Sequence, residues 1–157
     1  MDAGRRAVLK SSGAMTLLAL VGAAGWLESE DASAQSWNKA AFDTHNLPDT
    51  MRALGGTEAA RSGDIIFFQT PDIAENGAVV PVGITSSLPR TESIAILIEK
   101  NPNMLAAVFD LPAGTEPTVS TRVKMAQTSN VYALVKADGR YYVAAKEIKV
   151  TLGGCGG

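Results

Sequence analysis

The chain has 157 residues, 14 of them basic and 16 acidic, for a formal net charge of −2 at neutral pH with its one histidine neutral. A balance so near zero offers no electrostatic footprint for nucleic acid. One cysteine and one histidine cannot supply the roughly four ligands of a structural zinc site or the three of a catalytic one, and a lone cysteine excludes a disulfide within the chain.

At the N-terminus Arg5 and Arg6 precede Ala7, Val8, Leu9 and Lys10, then an apolar stretch over residues 13–27, then Ala32, Ser33 and Ala34 in an A-x-A arrangement. This is the layout of a cleaved export signal over residues 1–34, with cleavage before Gln35. The paired arginines with Leu9 and Lys10 behind them resemble a twin-arginine signal, with Val8 standing where that pattern most often carries phenylalanine. The apolar run is shorter than the roughly 20 residues of a spanning helix and is diluted by glycines, so no membrane attachment is expected after cleavage. Without residues 1–34 the chain keeps 123 residues, 11 basic against 12 acidic, which is one ordinary domain. A twin-arginine route exports a folded chain. With so few metal ligands, the expected reason for folding first is a protein partner rather than a cofactor or metal.

Residues 35–56 read as a short helical segment, with apolar or small side chains at Trp37, Ala40, Ala41, Met51 and Leu54 and a break at Pro48, after which Asp49 begins a further turn or two. Gly55 and Gly56 supply a C-terminal cap. Over 57–152 the period changes from about 3.6 to 2. Short strands are expected over 65–70, 78–85, 93–100, 105–111, 118–126, 131–137 and 141–151. Turn chemistry separates them at Asn76-Gly77, Asn101-Pro102 and Asp138-Gly139, and the last of these is the strongest hairpin signal in the chain. Strands at this spacing with no helices between them predict an all-β, antiparallel β-sandwich of immunoglobulin-like kind.

The last strand leads into Gly153, Gly154, Cys155, Gly156 and Gly157. Glycine has no side chain to bury and the widest backbone freedom, so residues 153–157 read as a flexible arm that presents the sulfur to solvent. Cys155 lies at most about 10 Å beyond Leu152. A thiolate is the nucleophile, and an exposed cysteine near its reference pKa of about 8.5 is only a few per cent ionised at neutral pH. Arg122, Lys124, Lys136, Arg140, Lys146 and Lys149 outnumber Asp138 and Glu147 in the segment leading to the tail. A locally positive setting is therefore expected to favour the thiolate, while the terminal carboxylate opposes it. The tail holds no acid or base, and His45 lies far away in sequence, where a surface or capping role is expected. The chain thus reads as a protein that offers a cysteine to enzymes rather than as an enzyme. In an exported compartment the cargo expected on sulfur is another sulfur species, held in a disulfide-like or thiosulfonate link.

The ending Val150-Thr151-Leu152-Gly153-Gly154-Cys155-Gly156-Gly157 resembles that of the SoxY family, the sulfur-carrier subunits of the periplasmic thiosulfate-oxidising Sox system. Further likeness runs through Ile73-Ala74-Glu75-Asn76-Gly77-Ala78-Val79-Val80-Pro81-Val82, through Thr121-Arg122-Val123-Lys124-Met125-Ala126, and through Ala144, Lys146, Glu147 and Lys149. The resemblance implies a periplasmic sandwich paired with a SoxZ-like subunit that lacks its own signal. It also implies that Cys155 takes up thiosulfate through a heme c thiol transferase. A hydrolase would then release sulfate, and a sulfur dehydrogenase would oxidise the remaining bound sulfur.

Two other readings use the same tail. An exported binding module would employ Cys155 for a disulfide-linked dimer. A ubiquitin-like sulfur carrier would use Gly156-Gly157 as a terminal thiocarboxylate, which requires cytoplasmic ATP and fits poorly with an export signal. The partner face is expected among outward-turned apolar side chains such as Phe67, Phe68, Val108 or Phe109.

Overall fold

The computed structural model describes residues 38–152. Two short helices come first, α1 (Lys39–Phe42) and α2 (Leu47–Ala53). Each is capped by an asparagine: the Asn38 side chain accepts from the Ala41 N–H and that of Asn46 from the Asp49 N–H, at 3.1 and 2.9 Å, which satisfies donors that a first turn leaves free. Pro48 does not break the segment as its sequence position suggests. It sits inside the first turn of α2, where a proline has no N–H to lose and its fixed φ suits the helix. The other end is the expected glycine cap, with Gly55 at φ +88. Its N–H donates to the Arg52 carbonyl at 3.0 Å and that of Gly56 to the Met51 carbonyl at 2.8 Å, the paired bonds of a Schellman ending.

Nine strands follow: β1 (Ala59–Arg61), β2 (Ile65–Phe68), β3 (Ile73–Asn76), β4 (Val80–Ser86), β5 (Thr91–Ile98), β6 (Leu105–Asp110), β7 (Thr118–Val123), β8 (Ser129–Ala137) and β9 (Arg140–Leu152). They form two sheets, one of three strands in the order β2-β4-β7 and one of six whose main path is β1-β9-β8-β5-β6. All seven expected strands are present, with ends shifted by one to three residues. The fold is mostly β, as predicted, and consistent with an immunoglobulin-like sandwich. Two short strands had no expectation in the sequence: β1 and β3 both pair with β9, and both in parallel. The parallel pairs are additions at the margin of a sheet otherwise paired antiparallel.

The inner faces bury Val80, Val82, Ile84, Val119 and Val123 from one sheet against Ile94, Ile96, Ile98, Val131, Val135 and Ile148 from the other. β5 is apolar on both faces because Ala95 and Leu97 point away from this core into a second cluster, where Ala41 and Met51 of the helices pack with Leu105, Leu134 and Tyr141. An unbroken Ile-Ala-Ile-Leu-Ile run is what a strand covered on both sides requires. The Tyr141 hydroxyl donates to the Leu54 carbonyl and ties the helical segment to β9.

Asp138 and Gly139 close β8 onto β9 with φ of 51 and 71, the left-handed pair that a two-residue I′ hairpin demands. An ion-pair cluster lies beside it: Arg90 holds Asp138 through two bonds, at 2.6 and 3.0 Å, and Lys136 holds Glu92 at 2.8 Å, with the Gly139 N–H donating to Glu92 at 2.7 Å. The Arg90 hydrogen bond holds the Asp138 carboxyl below its usual range, and the Lys136 bond, aided by Gly139, does the same for Glu92. A carboxyl lowered in the folded state adds stability above its unfolded value and loses it as pH falls through the lowered one. The difference in Tm between the native protein and Glu92→Gln is therefore expected to be present near neutrality, to begin shrinking as pH falls through the ordinary glutamate range of about 4.3, and to vanish below the lowered value. Arg90 and Asp138 are exposed and Lys136 and Glu92 partly so, so added salt shrinks the same difference.

Candidate functional site

Cys155 and the four arm glycines, Gly153, Gly154, Gly156 and Gly157, lie outside the described residues, as do the export signal over residues 1–34 and Gln35. The described chain reaches Leu152, the residue from which the arm departs. The site that can be built atom by atom is therefore the root of the arm.

β9 is 13 residues long, and its neighbours change along it. From Arg140 to Ile148 it pairs with β8, the last pair being Ser129 and Ile148. Beyond Ile148 its strand neighbour is β3, with Ile73 opposite Lys149, Ala74 opposite Val150 and Asn76 opposite Leu152. The Lys149 N–H donates to the Asp72 carbonyl at 2.9 Å, and the Val150 N–H donates to the Thr128 hydroxyl at 3.0 Å. The Thr151 hydroxyl donates to the Glu75 carbonyl at 3.2 Å. Last comes Gly77, whose N–H donates to the Leu152 carbonyl at 2.8 Å.

The Asn76-Gly77 turn is what aims that donor. The Asn76 side chain accepts from the Ala78 N–H at 2.9 Å and its carbonyl from Val79 at 3.3 Å, the local bonding that makes asparagine a turn residue. The Gly77 carbonyl accepts from the Met125 N–H at 2.7 Å. A single residue thus ties the end of β9 to the segment after β7. Asn101 braces that segment, with its side chain donating to the Lys124 carbonyl at 2.7 Å and accepting from Ala126 at 3.1 Å. The internal stretches that carry the resemblance noted above therefore border one another: Met125 is bonded to Gly77, and Lys149 lies opposite Ile73. No periodicity in the sequence marks them as neighbours. Gly77, Asp72, Thr128 and Lys146 are the residues that sequence reasoning did not single out for this role; Gly77 and Lys146 fall in the similar stretches, while Asp72 and Thr128 lie outside them and had no signal.

The charge around the root is less one-sided than the composition of the segment suggests. Lys136 and Arg140 flank the hairpin at the far end of β9, and Lys136 is paired with Glu92. Lys146 is largely covered, its ammonium 3.0 Å from Asp72 and also donating to the Thr70 carbonyl. Lys124 and Lys149 remain exposed near the root, with Arg122 further along β7, and Asp72 and Glu75 on the β3 side are exposed as well. His45 is at the surface near the helices, with Nδ1 2.5 Å from the Pro102 carbonyl.

The apolar side chains anticipated for a partner face are half-buried. Phe67 and Phe109 pack onto the core between the sheets, Val108 onto the cluster beneath the helices, and the Phe68 ring lies against Gly83. Successive strand residues point to opposite faces, so Phe68 lies on the face of β2 away from the core-facing Phe67. The large apolar side chains left exposed among the described residues are Ile66, Ile73, Val79 and Leu152. Three of these surround the arm root: Leu152 itself, Ile73 on β3 and Val79 in the turn that follows. Clefts are lined elsewhere, one by Gly56, Thr57, Arg140 and Tyr141 and another by Leu88, Leu111, Pro117 and Asp138.

The chain matches the family described as sulfur oxidation protein SoxY over residues 50–155. A solved structure, that of the sulfur carrier protein SoxY from Chlorobium limicola f thiosulfatophilum, is similar at 37% identity and a TM-score of 0.58, across 66% of this chain and 96% of that one. No curated protein matches the chain.

Proposed function

Because the chain belongs to the SoxY family, we propose that it is a periplasmic sulfur carrier that holds thiosulfate-derived sulfur covalently on Cys155 and presents it to the enzymes of the Sox system. The observation that carries this reading is the extent of the family match, which spans the sandwich and ends on Cys155 itself. Residues 1–34 act as a twin-arginine export signal, and the mature chain travels folded with a SoxZ-like subunit.

The chemistry asks little of the carrier. The Cys155 thiolate and the terminal sulfur of thiosulfate join in an S–S bond, giving a cysteine S-thiosulfonate. Two electrons leave to the heme c thiol transferase that catalyses the step. Water then attacks the terminal sulfone at a hydrolase, releasing sulfate and two protons and leaving a persulfide on Cys155. Where the host has a sulfur dehydrogenase, that enzyme oxidises the remaining sulfane sulfur to a sulfonate, three waters supplying the oxygens and six electrons and six protons leaving, and a second hydrolysis releases sulfate and restores the Cys155 thiolate. The catalytic groups belong to those enzymes, and the carrier supplies a thiol, glycines on each side that pass a narrow opening, and a root near Leu152. Support for the root comes from the bonds that hold Lys149 to Leu152 against β3, Thr128 and Gly77.

The test is intact mass spectrometry of the protein from its host grown on thiosulfate, before and after reductant. Sulfur adducts confined to Cys155 and removed by reductant are the expected result. A bare thiol while thiosulfate is being consumed overturns the reading, and a clean reductant-sensitive dimer puts the disulfide-linked binding module in its place.

A further inference from the structure

We infer that β3 is a latch on the root of the arm, opening independently of the sandwich, so that the arm has two working lengths. With the latch closed the chain leaves the domain after Leu152; with it open it leaves after Val150, which the Thr128 hydroxyl still holds. The inference deepens the carrier reading, since an arm of variable reach matters only if Cys155 carries cargo, but the latch itself is a property of described residues.

Four observations converge. First, β3 lies off the main path of its sheet and pairs with β9, so its release leaves the β1-β9-β8-β5-β6 ladder intact. Second, the segment it holds is the one that has run past β8, whose last partner is Ile148. Third, burial changes abruptly at that point. Ile148 is fully buried, whereas Lys149 and Thr151 are exposed, Val150 is half-buried and Leu152 is 72% exposed; on β3, Ile73 is 58% exposed and only Ala74 is buried. Elements held by a few backbone bonds with little apolar burial are those that open locally at low free energy. Fourth, the tie that braces the latch is an ion pair at the surface, Lys146 with Asp72 at 3.0 Å, the carboxylate being 88% exposed. Such a pair exchanges readily with water.

The two states differ in reach. Cys155 is three residues beyond Leu152 and five beyond Val150, which at full extension is about 10 Å against about 17 Å. Enzymes whose reacting centres lie at different depths would then be served by one arm. The residues that set its length, Gly77, Asp72 and Lys146, are positioning residues that touch no cargo.

Amide hydrogen exchange on the full chain, with its partner subunit bound, tests this. The amide to follow is Lys149, whose N–H is bonded to the Asp72 carbonyl in the closed state, against Leu134 and Val135 of β8, which has a strand on either side. The expected result is exchange at Lys149 at least about 100-fold faster than at Leu134 and Val135. In Lys146→Met it rises about tenfold further, with the β8 amides unmoved. Equal protection at the two places, or a Lys146→Met variant that speeds all three amides together or none, overturns the latch. The measurement involves no sulfur, so a latch that stays shut and a cysteine that stays bare are separate failures.

Discussion

Cys155→Ser is expected to abolish sulfur loading completely while leaving the melting temperature of the domain unchanged. Serine is smaller in radius and keeps the hydrogen-bonding capacity of the site, so the substitution changes the chemistry and little else. An alkoxide is not formed by an exposed hydroxyl at neutral pH, and an S–S link needs a polarizable thiolate as partner. The bonds that secure the end of β9, from Gly77 to Leu152 and from Asp72 to Lys149, lie upstream of the substituted residue and do not depend on it. The check is adduct occupancy by mass spectrometry in thiosulfate-grown cells, with thermal unfolding of the same preparations. Adducts that persist at native level in the serine variant would mean that the cargo sits elsewhere, and the carrier reading of the cysteine would fall.

What was legible in the sequence divides by the range of the interactions that produce it. The hairpin at Asp138-Gly139 and the cap at Gly55-Gly56 were readable because their causes are local: a backbone that needs φ of 71 or 88 needs glycine at that spot whatever surrounds it. The central strands β5 and β8 were readable because burial on both faces writes itself as a continuous apolar run. β1 and β3 were not, and for the same physical reason in reverse. Ala59–Arg61 and Ile73–Asn76 bury almost nothing, so no periodicity records them, and what holds them in place is a parallel ladder to a strand far along the chain. The Thr151 bond to Glu75 spans 76 residues. Residues 153–157 were read as an arm from composition alone, one cysteine among glycines, and lie outside the described residues. The root was marked only by likeness to a family, and the similar stretches border one another along β3 and Gly77. In the expected positive setting sequence distance stood in for spatial distance: Arg140 begins β9 and Lys136 lies on β8 beside the hairpin, at the opposite end of the strand from Leu152.

The largest loss of stability expected from a single substitution away from the arm is at Gly83, in the middle of β4. Gly83 is buried and faces Phe68 of β2 across the ladder, and a Cβ built there would lie 2.5 Å from the Phe68 carbonyl oxygen and 2.8 Å from its ring. The ring can rotate away. The carbonyl cannot, because Phe68 continues into Thr70, whose hydroxyl donates to that same oxygen at 2.9 Å and accepts from the Gly83 N–H at 3.0 Å. Gly83→Val should therefore cost about 3 kcal/mol or more, the upper range for overpacking a core, and lower the melting temperature by about 10 °C for a domain of this size. The pair of contacts can be separated. Phe68→Ala in the Gly83→Ala background removes the ring and leaves the carbonyl, so most of the loss due to Gly83→Ala should remain when the cost of Phe68→Ala alone is subtracted. Full recovery would identify the ring as the obstruction instead. The consequence extends to the arm, because the Thr70 carbonyl accepts from Lys146 and Asp72 follows it. A displaced Phe68 shifts the loop that braces β3 against β9, and exchange at Lys149 should rise in Gly83→Ala by more than exchange at Leu134.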